Sequence, residues 1–524
     1  MDDLALLSLN DEGEVITEIK KPTPWKKISL IVGSFALILI TLIVIIIISF
    51  TSQSEESNKK DDDQTPPSDD KYYVGQILCT YDVHSAQVET QILSDEYIKK
   101  TNFDIYIDDK RQDFAKKIKF PKFGDIVVTY SLKENIDMEN MFKDVSTLLK
   151  IEMSTNNNAK IISLENAFYN CENLKDISIK GFDTSELKSM GRIFHNTAIT
   201  SLSNFSIDTK NIEDMSYLFA NTKIESLDMP NLVTSKVTNM SNMFTNSTSL
   251  VYLDLNGFDT SNVVDMSYML DSCESLTHIY FNKTIFDTSN VIYMNGMFQN
   301  CYNLDSVDIS FFKTDKVENM SHLFDGCSSL YELDISKWNT PKLKDTSFMF
   351  KYCKDLESLD VSNLITDEVE NMSNMFYYLN NVAKLDVSNF KTSKVKNMKN
   401  MFSFCQRVTS LDVSKWVTSE VEDMSNMFEE CIQIRKLDLK NFNTNKVKDF
   451  SLMFSYCQNI IELDVTSFDT SSAENMRGMF FDLEYLDELD VSKFKTENVK
   501  DMSNMFCYCK SLTSLNLRTF AQVK

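Results

Sequence analysis

The chain has 524 residues, 43% of them hydrophobic, with only 10 glycines and 7 prolines, and it carries a formal net charge of −24. Such a charge excludes the basic footprint that nucleic acid or anionic lipid requires, and suits basic or cation-bridged partners. The length would hold several ordinary domains, yet one repeat runs unbroken from about residue 136, so a single elongated solenoid is the better count.

Residues 1–27 read as a cytoplasmic tail. It contains Asp2-Asp3-Leu4-Ala5-Leu6-Leu7, which resembles an acidic dileucine sorting signal and otherwise reads as an inert tail. Residues 28–50 are free of charge, about 34 Å as a helix against a hydrocarbon core of roughly 30 Å, and predict a single transmembrane signal anchor. Lys20, Lys21, Lys26 and Lys27 precede it and Glu55, Glu56 and Asp61 to Asp63 follow it. That asymmetry predicts a single-pass plasma-membrane protein with a cytosolic N-terminus and extracellular repeats. Residues 51–71, rich in Ser, Asp and Lys, predict a flexible acidic stalk. Residues 72–135 carry the β-branched and aromatic runs Tyr73 to Val83, Phe103 to Ile107 and Ile126 to Leu132, and predict a small β-rich N-terminal cap.

Residues 136–524 form the solenoid, of about fifteen units of 25–28 residues. Phe324, Phe350, Phe376, Phe402, Phe428, Phe454, Phe480 and Phe506 mark steps of 26. In the unit Asp423 to Val447, Met424, Met427, Phe428 and Cys431 fall at i, i+3, i+4 and i+7, the spacing of one helix face. Leu437-Asp438-Leu439 alternates as a half-buried strand does. The expected fold is therefore an α/β repeat: strand-helix units that bury their apolar faces only by stacking, after a β-rich cap and one transmembrane helix.

Stacking turns each place in the unit into a row. The methionines share the inward face with Phe428 and predict packing. Nine of the 11 cysteines share the place of Cys431, where other copies have Val, Thr, Ser or Leu, so they predict buried free thiols. A row of threonines typified by Thr418 and Thr444 predicts hydroxyls that stitch neighbouring turns. Asp308, Asp334, Asp360, Asp386, Asp412, Asp438, Asp464 and Asp490 form an outward row, preceded by Asp228 and Asp254. At a strand spacing of about 4.8 Å each adjacent pair repels by roughly 1 kcal/mol, so hydrogen bonds from residues such as Ser336 and Ser414, nearby lysines, or bound divalent cations must offset it.

The row breaks once. Between Met266 and Met294 the step is 28, Tyr280 stands where Asp is expected, and Asn282-Lys283-Thr284 makes a glycosylation sequon at Asn282. Tyr252 and His278 should neighbour Tyr280 and give an aromatic anchor on an acidic surface. With the aspartate row, these three make up the candidate ligand-binding residues. The four histidines occupy unrelated places, and no phosphate loop, nucleophile elbow or zinc spacing occurs, so no enzyme, metal or cofactor is expected.

The unit Asp/Asn-Met-Ser-x-Met-Phe-x-x-Cys-x-x-Leu-x-x-Leu-Asp-Val-Ser-x-Phe-x-Thr-Ser-x-Val, recurring over about residues 136–520, resembles the BspA-like leucine-rich-repeat surface proteins of bacteria, mycoplasmas and anaerobic protists. The resemblance implies a leucine-rich-repeat-like solenoid with strands such as 437–439 on a concave face, surface display, and adhesion to host cells, matrix or microbes. The usual leucine-repeat Asn position holds Phe442 or Trp416 type aromatics instead. The functional expectation is an adhesin or binding receptor for a protein or glycan ligand, with a structural or decoy coat antigen as the alternative.

Overall fold

The computed structural model describes residues 73–99, 102–202, 204–227 and 232–520. The tail, the span 28–50, the stalk and Asp228 lie outside the described residues. The single-pass helix, and the plasma-membrane location inferred from it, are not carried by the structure: no helix among the described residues is long and apolar enough to cross a membrane.

The N-terminal part is a set of short and long strands: β1 (Gly75–Val83), β2 (Glu89–Gln91), β3 (Phe103–Ile107), β4 (Lys110–Gln112), β5 (Lys117–Lys119) and β6 (Gly124–Leu132). The first repeats add β7 (Ile136–Asp137), β8 (Leu148–Ser154), β9 (Ile161–Ser163) and β10 (Asp176–Lys180). One six-stranded sheet runs in the order β10-β8-β1-β6-β3-β4. Strand β1 lies antiparallel to β6 on one side and to β8 on the other, while β8 and β10 are parallel. The edge of the parallel stack is thereby paired rather than left open. Alternation in β1 sends Ile77, Cys79, Tyr81 and Val83 inward. The buried Tyr81 and Tyr130 hydroxyls are hydrogen-bonded to each other at 2.8 Å, and the Ile92 carbonyl, 2.7 and 3.1 Å from them, accepts the remaining proton, which satisfies polar groups that would otherwise be costly to bury.

The solenoid differs from the expected strand-helix unit. No helix occurs among the described residues. The run Met424 to Cys431 folds instead as successive β-turns, with Asn426 (φ 60) and Glu430 (φ 58) in the left-handed region. The amides of Met427, Glu429 and Cys431 close turns onto the carbonyls of Met424, Asn426 and Phe428 at 3.2, 3.1 and 3.1 Å. The amides between them reach the next copy: Met424, Asn426, Phe428 and Glu430 donate to Asp449, Ser451, Met453 and Ser455 at 3.1, 2.8, 2.9 and 2.8 Å. An isolated helix this short is marginal, whereas here every other amide ties one turn to the next. The two left-handed residues, four apart, also reproduce the helical spacing: Met424, Met427, Phe428 and Cys431 are all fully buried.

Strands are scarce in the array. The segment expected at 437–439 contributes only β13 (Lys436–Leu437), parallel to β14 (Glu462–Leu463). Beyond the parallel pairs of the first repeats, β8 with β10 and β7 with β9, the other such pair is β11 (Tyr252–Asp254) with β12 (His278–Tyr280). Continuity comes from single parallel bridges that follow one another unbroken from Ser189↔Asp214 to Asn475↔Asp501. The architecture is a β-solenoid of stacked turns.

Rows run through its core. Phe428 stacks on Phe402 and on Phe454 with centroids 5.7 Å apart and rings 7° from parallel in both cases. All eleven cysteines are free, and nine are buried. The Cys431 thiol donates to the Phe402 carbonyl at 3.3 Å. Buried threonines join copies: the Thr392 hydroxyl donates to the Val417 carbonyl at 2.8 Å and accepts the Val417 amide at 2.9 Å.

Candidate functional site

The aspartate row occupies one place in eight successive turns. All eight side chains stand at the surface, Asp464 half-buried and the others exposed. Each carboxylate accepts the backbone amide two residues on, at 3.3 Å for Asp308 and Asp438, 3.1 Å for Asp412, 3.0 Å for Asp334, Asp360, Asp386 and Asp464, and 2.9 Å for Asp490. In Asp334, Asp360 and Asp412 the same oxygen also accepts the hydroxyl of Ser336, Ser362 and Ser414 at 2.6 Å, and in Asp464 that of Thr466 at 2.6 Å. Asp308 bonds Ser310 at 2.8 Å and is paired with Lys283.

These bonds answer the repulsion expected along the row. The Ser336 hydroxyl holds the Asp334 carboxyl below the usual carboxylate range, and Ser388, Ser414, Thr466 and Ser492 do the same for Asp386, Asp412, Asp464 and Asp490. Lys283 is the main cause for Asp308. The neighbouring Asp412 pushes Asp386 the other way, but the turn bonds outweigh it. Orientation is thus fixed by each carboxylate's own turn.

At the break in the row, β11 and β12 set Tyr252 opposite His278 and Asp254 opposite Tyr280. Tyr252 and Tyr280 are each about half exposed, at 50% and 51%. His278 and Tyr280 are two residues apart on one strand and share its outer face. Asn282 takes over the turn role that Asp plays elsewhere: its Oδ1 accepts the Thr284 amide at 3.1 Å and hydroxyl at 2.7 Å. The two inserted residues therefore slide the capping side chain by two places. Beneath them Phe281, Phe286, Phe311 and Phe312 pack edge-to-face and stacked, which anchors the insertion.

Near the end of the array a groove of about 910 Å³ opens along this same row, with Asp464 and Asp490 in its wall. Glu462, Asp487 and Glu488 add to its acidity, and Lys436 neutralises Glu462 at 2.7 Å. Such a groove suits a basic segment or a ligand rich in hydrogen-bond donors. Asn516, also in its wall, continues the row 26 residues after Asp490, and its Oδ1 accepts the Arg518 amide at 3.2 Å. Sequence reasoning passed over Asn516 as a member of the row, although the spacing marks it. No group of three or more His, Cys, Asp or Glu placed to hold a metal ion occurs among the described residues.

The repeats match the family described as "Mycoplasma protein of unknown function, DUF285" over residues 136–250, 198–282, 277–384, 353–461 and 432–523. The chain belongs to this family. Among solved structures, the array is similar to that in "Crystal structure of TLR13-ssRNA13 complex", at 14% identity over 71% of this chain and 78% of that chain, with a TM-score of 0.14. No curated protein matches the chain.

Proposed function

We propose that this DUF285 chain is a binding protein of the adhesin kind, which engages a protein or glycan ligand of host cells, matrix or microbes through its exposed aspartate row. The observation that carries this reading is the row itself: eight carboxylates at one place in successive turns, held at the surface by their own turn bonds. A row fixed in advance loses little side-chain freedom on binding, and its repetition suits multivalent contact. The resemblance to BspA-like adhesins supports the same reading. Tyr252, His278 and Tyr280 supply the aromatic surface that such a face would use as an anchor. Catalysis and nucleic-acid binding form no part of the proposed role, the latter because the surface is acidic.

One observation favours the alternative, a structural or decoy coat antigen: each aspartate already has a task inside its turn. The test is binding of the purified chain to epithelial cells, matrix proteins and bacteria, with calcium present and chelated. A variant carrying Asp386→Asn, Asp412→Asn and Asp438→Asn is compared. Saturable binding that weakens in the folded variant supports the adhesin, and chelation separates direct from cation-bridged contact. No binding to any of the three target classes by folded protein would leave the coat antigen in its place.

A further inference from the structure

Apart from the aspartate row, a second cleft of about 630 Å³ lies at the corner where each turn run ends, and shares no residue with the acidic groove. Its origin is a single glycine. The place held by Glu430 carries a side chain in every other copy, including Asn300, Tyr352, Tyr378 and Phe404, but in one copy it is Gly326. Gly326 has φ +82, and a Cβ there would come within 2.8 Å of the Asn300 side-chain oxygen and 3.3 Å of the Tyr302 ring. The glycine lets the Asn300 side chain and the Tyr302 ring come close to the backbone, and the notch opens beside them.

The notch is built from aromatic and hydrogen-bonding groups. Tyr302, 42% exposed, bounds one side, its hydroxyl donating to Asn300 Oδ1 at 3.2 Å. Tyr352, 40% exposed, bounds the other and packs against Tyr378 with centroids 5.3 Å apart. The buried Asp325 carboxylate lies between, held by His322 Nδ1 at 2.9 Å and Lys351 at 3.7 Å. Among the described residues, the Gln299 amide and the Lys354 ammonium have no hydrogen-bond or ion-pair partner, although both line the cleft.

The lining selects the occupant by elimination. It contains no Leu, Ile, Val, Met or Phe, so it lacks the aliphatic pocket into which a peptide anchors a side chain. An organic cation finds its place taken, because the Lys351 ammonium already sits 5.1 Å from the Tyr352 ring. One free ammonium, Lys354, set against the Asp325 carboxylate that Lys351 already pairs, does not make an anion site. What remains is a neutral ligand with a C–H face for tyrosyl rings and an edge of hydroxyls for amide, hydroxyl and ammonium partners. We propose that this cleft is a carbohydrate subsite, taking a neutral pyranose unit of an oligosaccharide between Tyr302 and Tyr352, with its hydroxyls bound by Gln299, Ser328 and Lys354.

The test uses the full chain and four probes, maltohexaose, cellohexaose, mannohexaose and chitohexaose, titrated calorimetrically. At least one is expected to bind saturably. Tyr352→Ala should weaken that binding by about 10-fold or more, the scale of one lost stacking partner. Gly326→Asn, a residue that tolerates the left-handed conformation, should push the Asn300 and Tyr302 side chains into the notch and abolish binding. Lys354→Ala removes an exposed side chain without a partner in the chain, so it should leave folding unchanged and weaken binding several-fold. The triple aspartate variant should bind sugar as the parent does, which keeps this subsite separable from the proposed adhesive face. Absence of binding to all four probes at millimolar concentration overturns the subsite. Unchanged binding in both Gly326→Asn and Lys354→Ala, with parental melting, overturns it equally.

Discussion

Replacing Glu430 by Asn tests the turn architecture by the sign of its effect. Glu430 holds φ 58, a conformation that costs an ordinary L-residue about 1–2 kcal/mol and Asn less. Five copies already have Asn at this place: Asn170, Asn196, Asn221, Asn246 and Asn300, all with positive φ. Against the relief stands one bond, from Gln406 Nε2 to Glu430 at 3.2 Å, worth about 0.5 kcal/mol at a half-buried position. Burial, followed by the charges of Glu429 and Asp482, raises the Glu430 carboxyl above its usual range, so the ionised side chain is itself unfavourable at neutral pH. The net expectation is a gain of about 0.5–1 kcal/mol. A helix would give the opposite sign, because Asn is a poorer helix former than Glu by a few tenths of a kcal/mol and the Gln406 bond would still be lost. Urea unfolding at constant m-value measures the difference. A folded-state pKa above the unfolded one means that the native state binds the extra proton, so parental stability should rise as pH falls through the raised value. The advantage of Glu430→Asn should shrink over the same window. Destabilisation by Glu430→Asn of more than about 0.5 kcal/mol at neutral pH would refute the left-handed turn as the source of the fold.

Phe428→Ala, at a fully buried ring stacked on both sides, should cost about 3–5 kcal/mol, and Phe428→Leu only about 1–2 kcal/mol because Leu270 already fills this place in another copy. Equal losses in urea unfolding would show that the stack is not the stabilising element. Asp412→Ala should destabilise by about 1 kcal/mol and Asp412→Asn by less, since the amide oxygen can still accept from Ser414; equal effects in thermal melts would argue against the turn bond. The carboxyls of Asp334, Asp386 and Asp412 are depressed in the folded chain, so they stabilise it above the unfolded carboxylate pKa of about 4 and lose that effect as pH falls through the lower folded values. Changing all three to Asn should flatten the acid limb of a stability–pH curve, and an unaltered limb would exclude them as its cause. In native protein a thiol reagent should modify Cys507, which is exposed, and Cys509 more slowly. The other nine are buried, and burial pushes the Cys405 thiol up to about 12; rapid native labelling of all eleven would contradict the packed row.

The period and the inward rows were legible because they rest on burial alone. Met424, Met427, Phe428 and Cys431 were expected inside and are inside, and the threonine row bonds neighbouring turns as its chemistry suggests. The helix was not legible as absent, because the i, i+3, i+4, i+7 spacing also fits two turns closed by left-handed residues. The local cue at the start of the run was ambiguous as well: Asp423 accepts the Ser425 amide at 2.8 Å, which is the chemistry of a helix cap and of an Asx turn alike. A discriminating signal lay in the residues facing out. Asn stands at the place of Asn426 in Asn140, Asn166, Asn242, Asn374, Asn400 and Asn504, all with positive φ, and Asn recurs four residues later in many copies. Asn is a poor choice for a helix interior and a good one for that conformation. Tyr252, His278 and Tyr280 could be placed together by counting register, since parallel bridges align equivalent residues of neighbouring copies. The groove at residues 461–516 and the notch at Gly326 could not, because each depends on the space left between turns, which periodicity does not encode.

In an array of this kind a row explains itself structurally before it explains anything else. The cysteines donate to carbonyls of the preceding copy, the threonines bracket a peptide group of the next, and the aspartates close their own turns. A residue type that recurs in every copy is thus accounted for by stacking, which each copy needs equally. A departure from the row needs an account of its own. Gly326 gives up the side chain that its neighbours carry, and its carbonyl accepts the Ser328 amide at 2.7 Å, a turn bond that Asn300 and Tyr352 lack; a cleft between two tyrosines lies beside this tightened corner. Tyr280 differs: Asn282 assumes the capping role of the displaced aspartate, so the turn is kept and the exposed ring is the part left over. Both departures leave aromatic surface in contact with solvent on a chain of net charge −24. Function in such a solenoid is accordingly sought first where a row is broken and its structural task has been passed to another residue or dropped.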